Sequence, residues 1–285
     1  MRQKIILSLC AATIMLSACE QQSAEQQVED AMRDINVVDE SNLNDVMLTV
    51  GDPDEAVWYF TSAVSVSPDR IDLQRGLAKS LIRANRVTDA ISAWQTVVAH
   101  PETTHEDTVD YAGALIRNSQ WDDATAQLNT VPPTYETFKR YRLEAMVADS
   151  RQQWDKADSF YETAAGLTTR PANVYNNWGY SKLTRGDYPG AERLFIDALR
   201  HDSSLFTAKN NLVLARGAQR NYTLPVVQMT QVERAQLLYT LALAAIKQND
   251  VSIGKSLLAD AIETHPRHFD EAVRALQALE NNAVN

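Results

Sequence analysis

The chain has 285 residues and a formal charge of −10, from 27 Lys+Arg against 37 Asp+Glu. Hydrophobic residues make up 45%, which suits a packed core and is too high for a disordered chain, while the 9 glycines fall well short of the usual ~7% and argue against turn-rich β-sandwiches and phosphate-cradling glycine loops. The acidic balance argues against nucleic acid as a partner, since phosphate backbones need a cationic footprint, and cysteines at 10 and 19 alone leave the body of the chain no disulfide framework or cysteine metal site.

Residues 1–18 read as an address. Arg2 and Lys4 precede an uncharged apolar run over 5–18. That run is too short for a ~30 Å hydrocarbon core but suits the apolar region of a signal peptide. It ends in Leu16-Ser17-Ala18-Cys19, which resembles the lipobox of bacterial lipoproteins. The alternative is an ordinary secretory signal that happens to contain a cysteine. The lipobox resemblance implies cleavage before Cys19, a diacylglycerol on its thiol and an acylated amine, and several acyl chains anchor stably. Glu20 follows, not the aspartate associated with inner-membrane retention. The expectation is therefore a lipid-anchored protein of the outer membrane, facing the periplasm of a Gram-negative cell. Residues 19–36, polar and short of aromatics, read as a lipidated tether.

From residue 37 the chain repeats itself. Gly186-Asp187-Tyr188-Pro189-Gly190-Ala191, with Phe195 and Ala198 after it and Trp178-Gly179 before it, resembles one tetratricopeptide repeat (TPR). The alanine at 191 recurs at Ala56, Ala90, Ala124 and Ala157, with Gly254 as a late substitute. Four residues on, the bulky position holds Phe60, Trp94, Leu128, Tyr161, Phe195 and Leu258. Small residues let two helices approach, and the bulky ones fill the space between them. The units start near 37, 71, 105, 138, 172, 206 and 235. Pro68, Pro101, Pro171 and Pro266 fall at unit ends, and Pro53 and Pro189 fall in the first turn of a second helix, where a missing N–H costs little.

The sixth unit departs from the pattern. Its first helix is sound, but Tyr222-Thr223-Leu224-Pro225 stands where its second should begin. Pro225 lacks an N–H and biases Leu224 away from helical angles, so 223–230 is expected to be non-helical, with a new helix from about Gln231. Residues 269–281 read as a capping helix over the last apolar face. The fold expected is all-α: a TPR solenoid, a right-handed superhelix of antiparallel helix pairs, over 37–285.

No catalytic constellation is visible. His265 and His268 flank a proline turn without a third ligand. Neither enzyme activity, nor a metal, nor a cofactor is expected. The tryptophans mostly occupy packing positions of the repeat. What a TPR stack offers is a concave groove lined by first helices. In the family, positions 2, 5, 9, 12 and 13 face it. Over five units these positions hold six cations, Arg75, Lys79, Arg83, Arg117, Lys139 and Arg142, against three anions, Asp72, Glu106 and Asp149. Tyr180 stands on the same stripe. Asn177 and Asn211, at the sixth position, suit hydrogen bonding to an extended peptide, though asparagine there also serves structure. Long basic side chains, too, either steer an acidic partner or cover apolar helix surface with their stems. The nine residues Arg75, Lys79, Arg83, Arg117, Lys139, Arg142, Asn177, Tyr180 and Asn211 form the candidate partner site.

Two phrases go beyond a general TPR: Asn176-Asn177-Trp178-Gly179-Tyr180 with Arg185-Gly186-Asp187-Tyr188, and the stretch from Lys209 to Pro225. With the lipobox and the late Ala245-Ile246-Lys247-Gln248-Asn249-Asp250, they resemble the TPR lipoproteins of tight-adherence (Flp pilus) loci, the TadD type. That resemblance implies a non-catalytic scaffold for a type IVb pilus that binds or pilots the outer-membrane secretin. The alternative is an adaptor for another periplasmic complex, serving cell-wall enzymes or a different secretion system. No ligand residues transfer with the resemblance.

Overall fold

The computed structural model describes residues 43–281, so the expected signal peptide, Cys19 and the tether lie outside the described residues. These residues hold fourteen helices and no strand. Helix α1 is described over 43–49. It is followed by α2 (Pro53–Val66), α3 (Ile71–Arg83), α4 (Val87–Ala99), α5 (His105–Arg117), α6 (Trp121–Thr130) and α7 (Phe138–Ser150). Then come α8 (Trp154–Gly166), α9 (Ala172–Thr184), α10 (Tyr188–His201), α11 (Phe206–Ala218), α12 (Gln231–Lys247), α13 (Val251–Thr264) and α14 (Asp270–Asn281). Each helix packs on the next one or two along the chain, the contact pattern of a solenoid. Among the described residues no helix is long and apolar enough to cross a membrane.

One turn is used over and over to fold each helix back. Asn85, Ser119, Gln152, Gly186, Arg220 and Asn249 all have positive φ, between 56° and 84°. In each case the next residue donates its N–H to a carbonyl five residues back, as Gln120 does to Leu115 at 2.9 Å and Asp187 does to Lys182 at 2.9 Å. This is a Schellman stop; at all but Arg220 it leaves three residues between one helix and the next, while the helix after Arg220 begins only at Gln231. Only Gly186 occupies the left-handed region without a Cβ penalty. Ser119→Gly and Gln152→Gly are therefore expected to raise stability by about 0.5–1 kcal/mol each, the relief at φ being partly offset by a more flexible unfolded chain. Chemical denaturation of the two variants measures it.

Between paired helices, large side chains sit against small ones. Phe60, Trp94, Leu128, Tyr161, Phe195 and Leu258 are all buried, as are the alanines four residues before the first five of them. At Gly179 an added Cβ would stand 2.6 Å from the Phe195 ring, so this close approach requires glycine.

The sixth unit has lost its second helix. Residues 219–230 are non-helical, and Pro225 is buried among them. The segment is nevertheless packed. Tyr222, Leu224 and Met229 lie on the cluster formed by α11 to α14, and Val227 lies on the cluster centred on Phe195 and Leu212. Tyr222 donates its hydroxyl hydrogen to Asp250 at 2.5 Å, and Arg220 pairs with the same carboxylate at 3.1 Å. Helix α12 starts at Gln231, where the sequence places the new helix. A capping box between Thr230 and Glu233 accounts for this start. Glu233 also pairs at 3.0 Å with Lys209 of α11, which is only 2% exposed. Helix α14 covers the last pair with Ala272, Ala275, Leu276 and Leu279.

Candidate partner-binding groove

The first helices α3, α5, α7, α9 and α11 stand side by side and enclose two adjoining cavities. One, of about 750 Å³, is lined by Lys79, Arg83, Arg117, Lys139 and Arg142. Asp110 is the single carboxylate in its lining. Five of the six groove cations thus converge on one concave space.

Their partners differ. Arg83 donates to the Met47 and Gly51 carbonyls at 2.6 Å each and so ties α3 to the end of α1. Lys139 pairs with Asp110. Burial pulls the Lys139 ammonium down to about 8; the charge of Glu106 works against that shift and those of Lys79 and Arg142 reinforce it. Arg142 is drawn down by burial and by the neighbouring Arg117, and its Nε is buried with no hydrogen-bond partner. Lys79 and Arg117 carry neither hydrogen bond nor ion pair among the described residues.

Arg75 is the correction. It lines neither cavity. Its guanidinium reaches Asp107 at 2.7 Å, and Asp107 forms the capping box of α5 with Thr104. Burial raises the Asp107 carboxyl, but the hydrogen bonds from Arg75 and Thr104 outweigh it and hold the group low. Arg75 is therefore a bolt between consecutive units.

The second cavity, of about 490 Å³, adjoins the first through shared walls at Trp121, Met146 and Asn177. Tyr180 and Asn211, both read from the sequence, line it, and Tyr180 is 52% exposed. The two asparagine pairs 176–177 and 210–211 face into it. Asn211 donates to Asn176 at 3.1 Å, Asn177 reaches the Met146 sulfur at 3.7 Å, and Asn210 accepts from Thr240 at 2.8 Å. Each amide keeps a donor or an acceptor free for a peptide group. Trp121 and Phe206 complete the wall, and neither was expected there. Trp121 opens a second helix, at a position that the repeat reserves for packing. The signal available was its recurrence as an aromatic at 121, 154, 188 and 222, beside each turn.

Asp149 is the one carboxylate of the second cavity. Burial pushes its carboxyl up, against hydrogen bonds from Ser181 at 2.6 Å and Tyr161 at 2.9 Å. Among the described residues no group of three or more His, Cys, Asp or Glu is placed to hold a metal.

The pH dependence of the basic cavity follows from Lys139. Below about pH 8 its ammonium is charged, and above that it is neutral. Affinity for an acidic probe such as hexaglutamate is expected to fall several-fold as pH rises from 7 to 9. Fluorescence anisotropy should show that fall in the natural protein and a flattened profile in Lys139→Gln.

Residues 47–102 match the family described as Tetratricopeptide repeat. A crystal structure of a tetratricopeptide repeat protein from Parabacteroides merdae superposes with a TM-score of 0.55 at 12% identity, over 84% of this chain and 96% of that one. The fold is a tetratricopeptide-repeat solenoid. The Cut9-Hcn1 hetero-tetramer of the APC/C gives 0.59 at 13% identity, over 83% of this chain and 48% of that one, so the chain spans about half the length of that relative. PilW, a widely conserved type IV pilus biogenesis factor, gives 0.55 at 13% identity, over 73% of this chain and 91% of that one. No curated protein matches the sequence. At these identities the likeness is one of fold. Solenoids of this kind are interaction scaffolds that present a concave surface to protein or peptide partners, and no enzyme family is indicated.

Proposed function

We propose that this solenoid is a non-catalytic scaffold for assembly of a tight-adherence (Flp, type IVb) pilus, lipidated on Cys19, held at the outer membrane and facing the periplasm. Its groove captures a partner of the pilus machine, the secretin first among them. The observation that carries the binding reading is the basic cavity. In a chain of charge −10, five cations face one concave space with a single carboxylate among them. Among the described residues Lys79 and Arg117 there have no hydrogen-bond or ion-pair partner, and the Arg142 Nε is buried without one. Such a surface attracts and orients an acidic segment. The pilus assignment is supported by the resemblance of 176–188 and 209–225 to tight-adherence lipoproteins, and by a type IV pilus biogenesis factor among the fold neighbours.

The test is genetic. Deleting the gene should abolish surface pili and secretin oligomers, and the natural protein should restore both. A Lys79→Glu, Arg142→Glu variant should keep its helical circular dichroism and fail to restore them. Cys19→Ser should lose membrane fractionation. Normal piliation after deletion would overturn the pilus reading, and full rescue by the charge-reversed variant would overturn the groove.

A further inference from the structure

The two cavities differ in charge and share a wall, which restricts what can fill both. The first is wide and carries five cations among apolar side chains such as Ile82, Trp94 and Leu143. The second is lined by Trp121, Tyr180 and Phe206 with four asparagine amides between them. Its one carboxylate, Asp149, is half-buried and already engaged by Ser181 and Tyr161. An acidic side chain entering there would meet apolar rings and a carboxyl, with no cation to receive it. A large apolar side chain entering the first cavity would desolvate Lys79, Arg117 and Arg142 without pairing them, which is costly. Side-chain amides at 176, 177, 210 and 211 each keep a donor or an acceptor free, and together they can meet an extended backbone. Asn177 belongs to both cavities, so one uninterrupted strand can run from one to the other.

From this we infer that the groove recognises a bipartite linear peptide, in which a cluster of acidic residues is joined within a few positions to a large apolar or aromatic anchor. The acidic part lies against Lys79, Arg117 and Arg142, and the anchor lies between Trp121, Tyr180 and Phe206. This deepens the partner-binding reading above and stands or falls apart from the pilus role. The acidic part gives steering and salt dependence. The anchor gives the discrimination, because a buried aromatic or leucine side chain contributes about tenfold or more to affinity.

The test pans a display library of random peptides against the purified protein, and against Lys79→Ser, Arg117→Ser and Tyr180→Ala variants checked by circular dichroism. Among the described residues none of the three side chains makes an ion pair that the substitution would break. Peptides enriched on the natural protein should combine acidic residues with an apolar residue a few positions away. On the two serine variants the acidic preference should weaken while the anchor remains. On Tyr180→Ala the anchor preference should weaken about tenfold while salt dependence is unchanged. Enrichment of acidic peptides with no anchor overturns the bipartite reading and leaves a simple basic groove. Enrichment of neither class overturns both. Capture of such peptides together with normal piliation after gene deletion would remove the pilus role and keep this one. A synthetic peptide of residues 20–42, acidic with scattered aliphatics, competes in the same assay. Displacement of enriched peptides by it at equal concentration would make the occupant this chain's own segment and overturn an external partner.

Discussion

Glu233→Ala is expected to destabilise the protein by about 3–5 kcal/mol, the range for stripping one partner from a buried ion pair. The ammonium of Lys209, whose residue is 2% exposed, would lose its ion-pair partner. The same change removes the capping box that starts α12. Lys209→Met should cost far less. It leaves a glutamate whose side chain is 19% exposed and still bonded to the Thr230 N–H at 2.7 Å. The asymmetry is the diagnostic, and thermal unfolding of the two variants reads it. A pH signature accompanies it. The backbone hydrogen bond from Thr230, and then Lys209, hold the Glu233 carboxyl below its ordinary 4.5. Its contribution is present above that value and is lost as pH falls through the lower, folded-state pKa. The gap between natural protein and Glu233→Ala should therefore narrow in acid.

Phe195→Ala should cost a similar amount, about 3–5 kcal/mol, since the ring is fully buried and fills the gap opposite Gly179. Gly179→Ala fails from the opposite side by overpacking, at about 1–3 kcal/mol. Combining Gly179→Ala with Phe195→Leu should cost less than the sum of the two single changes, because each relieves the other. A double-mutant cycle in denaturant measures this. Strict additivity would mean that the two side chains do not share the space.

The helix pairs were legible because packing imposes residue types. A buried alanine four residues ahead of a buried bulky side chain every 33 or 34 residues leaves few alternatives, and Pro225 marked the break for a local reason. The turns were less legible. The left-handed position is held by Asn, Ser, Gln, Gly and Arg, so only its geometry repeats. In the groove, register alone placed Lys79, Arg83, Arg117, Lys139 and Arg142 on one surface. It could not show that Arg75 is claimed by Asp107, 32 residues away, since that partner belongs to the next unit's cap. Nor could it show Trp121 in the groove wall, or Trp58 standing 73% exposed on α2. The tryptophan ring serves packing and recognition alike, and only the neighbours decide between them.

Because each helix leans only on the next one or two along the chain, the solenoid behaves mechanically as elements in series. Tension applied between its two ends loads each helix pair equally, and the weakest yields without dragging the rest along. Each pair released lengthens the molecule by on the order of 100 Å of contour. The packed crossing at 219–230 joins two core clusters with a strap in place of a helix, and the bonds of Arg220 and Tyr222 to Asp250 share its load with that packing and with the Lys209–Glu233 pair. Pulled between its two ends, the molecule would therefore lengthen pair by pair, in discrete steps rather than all at once.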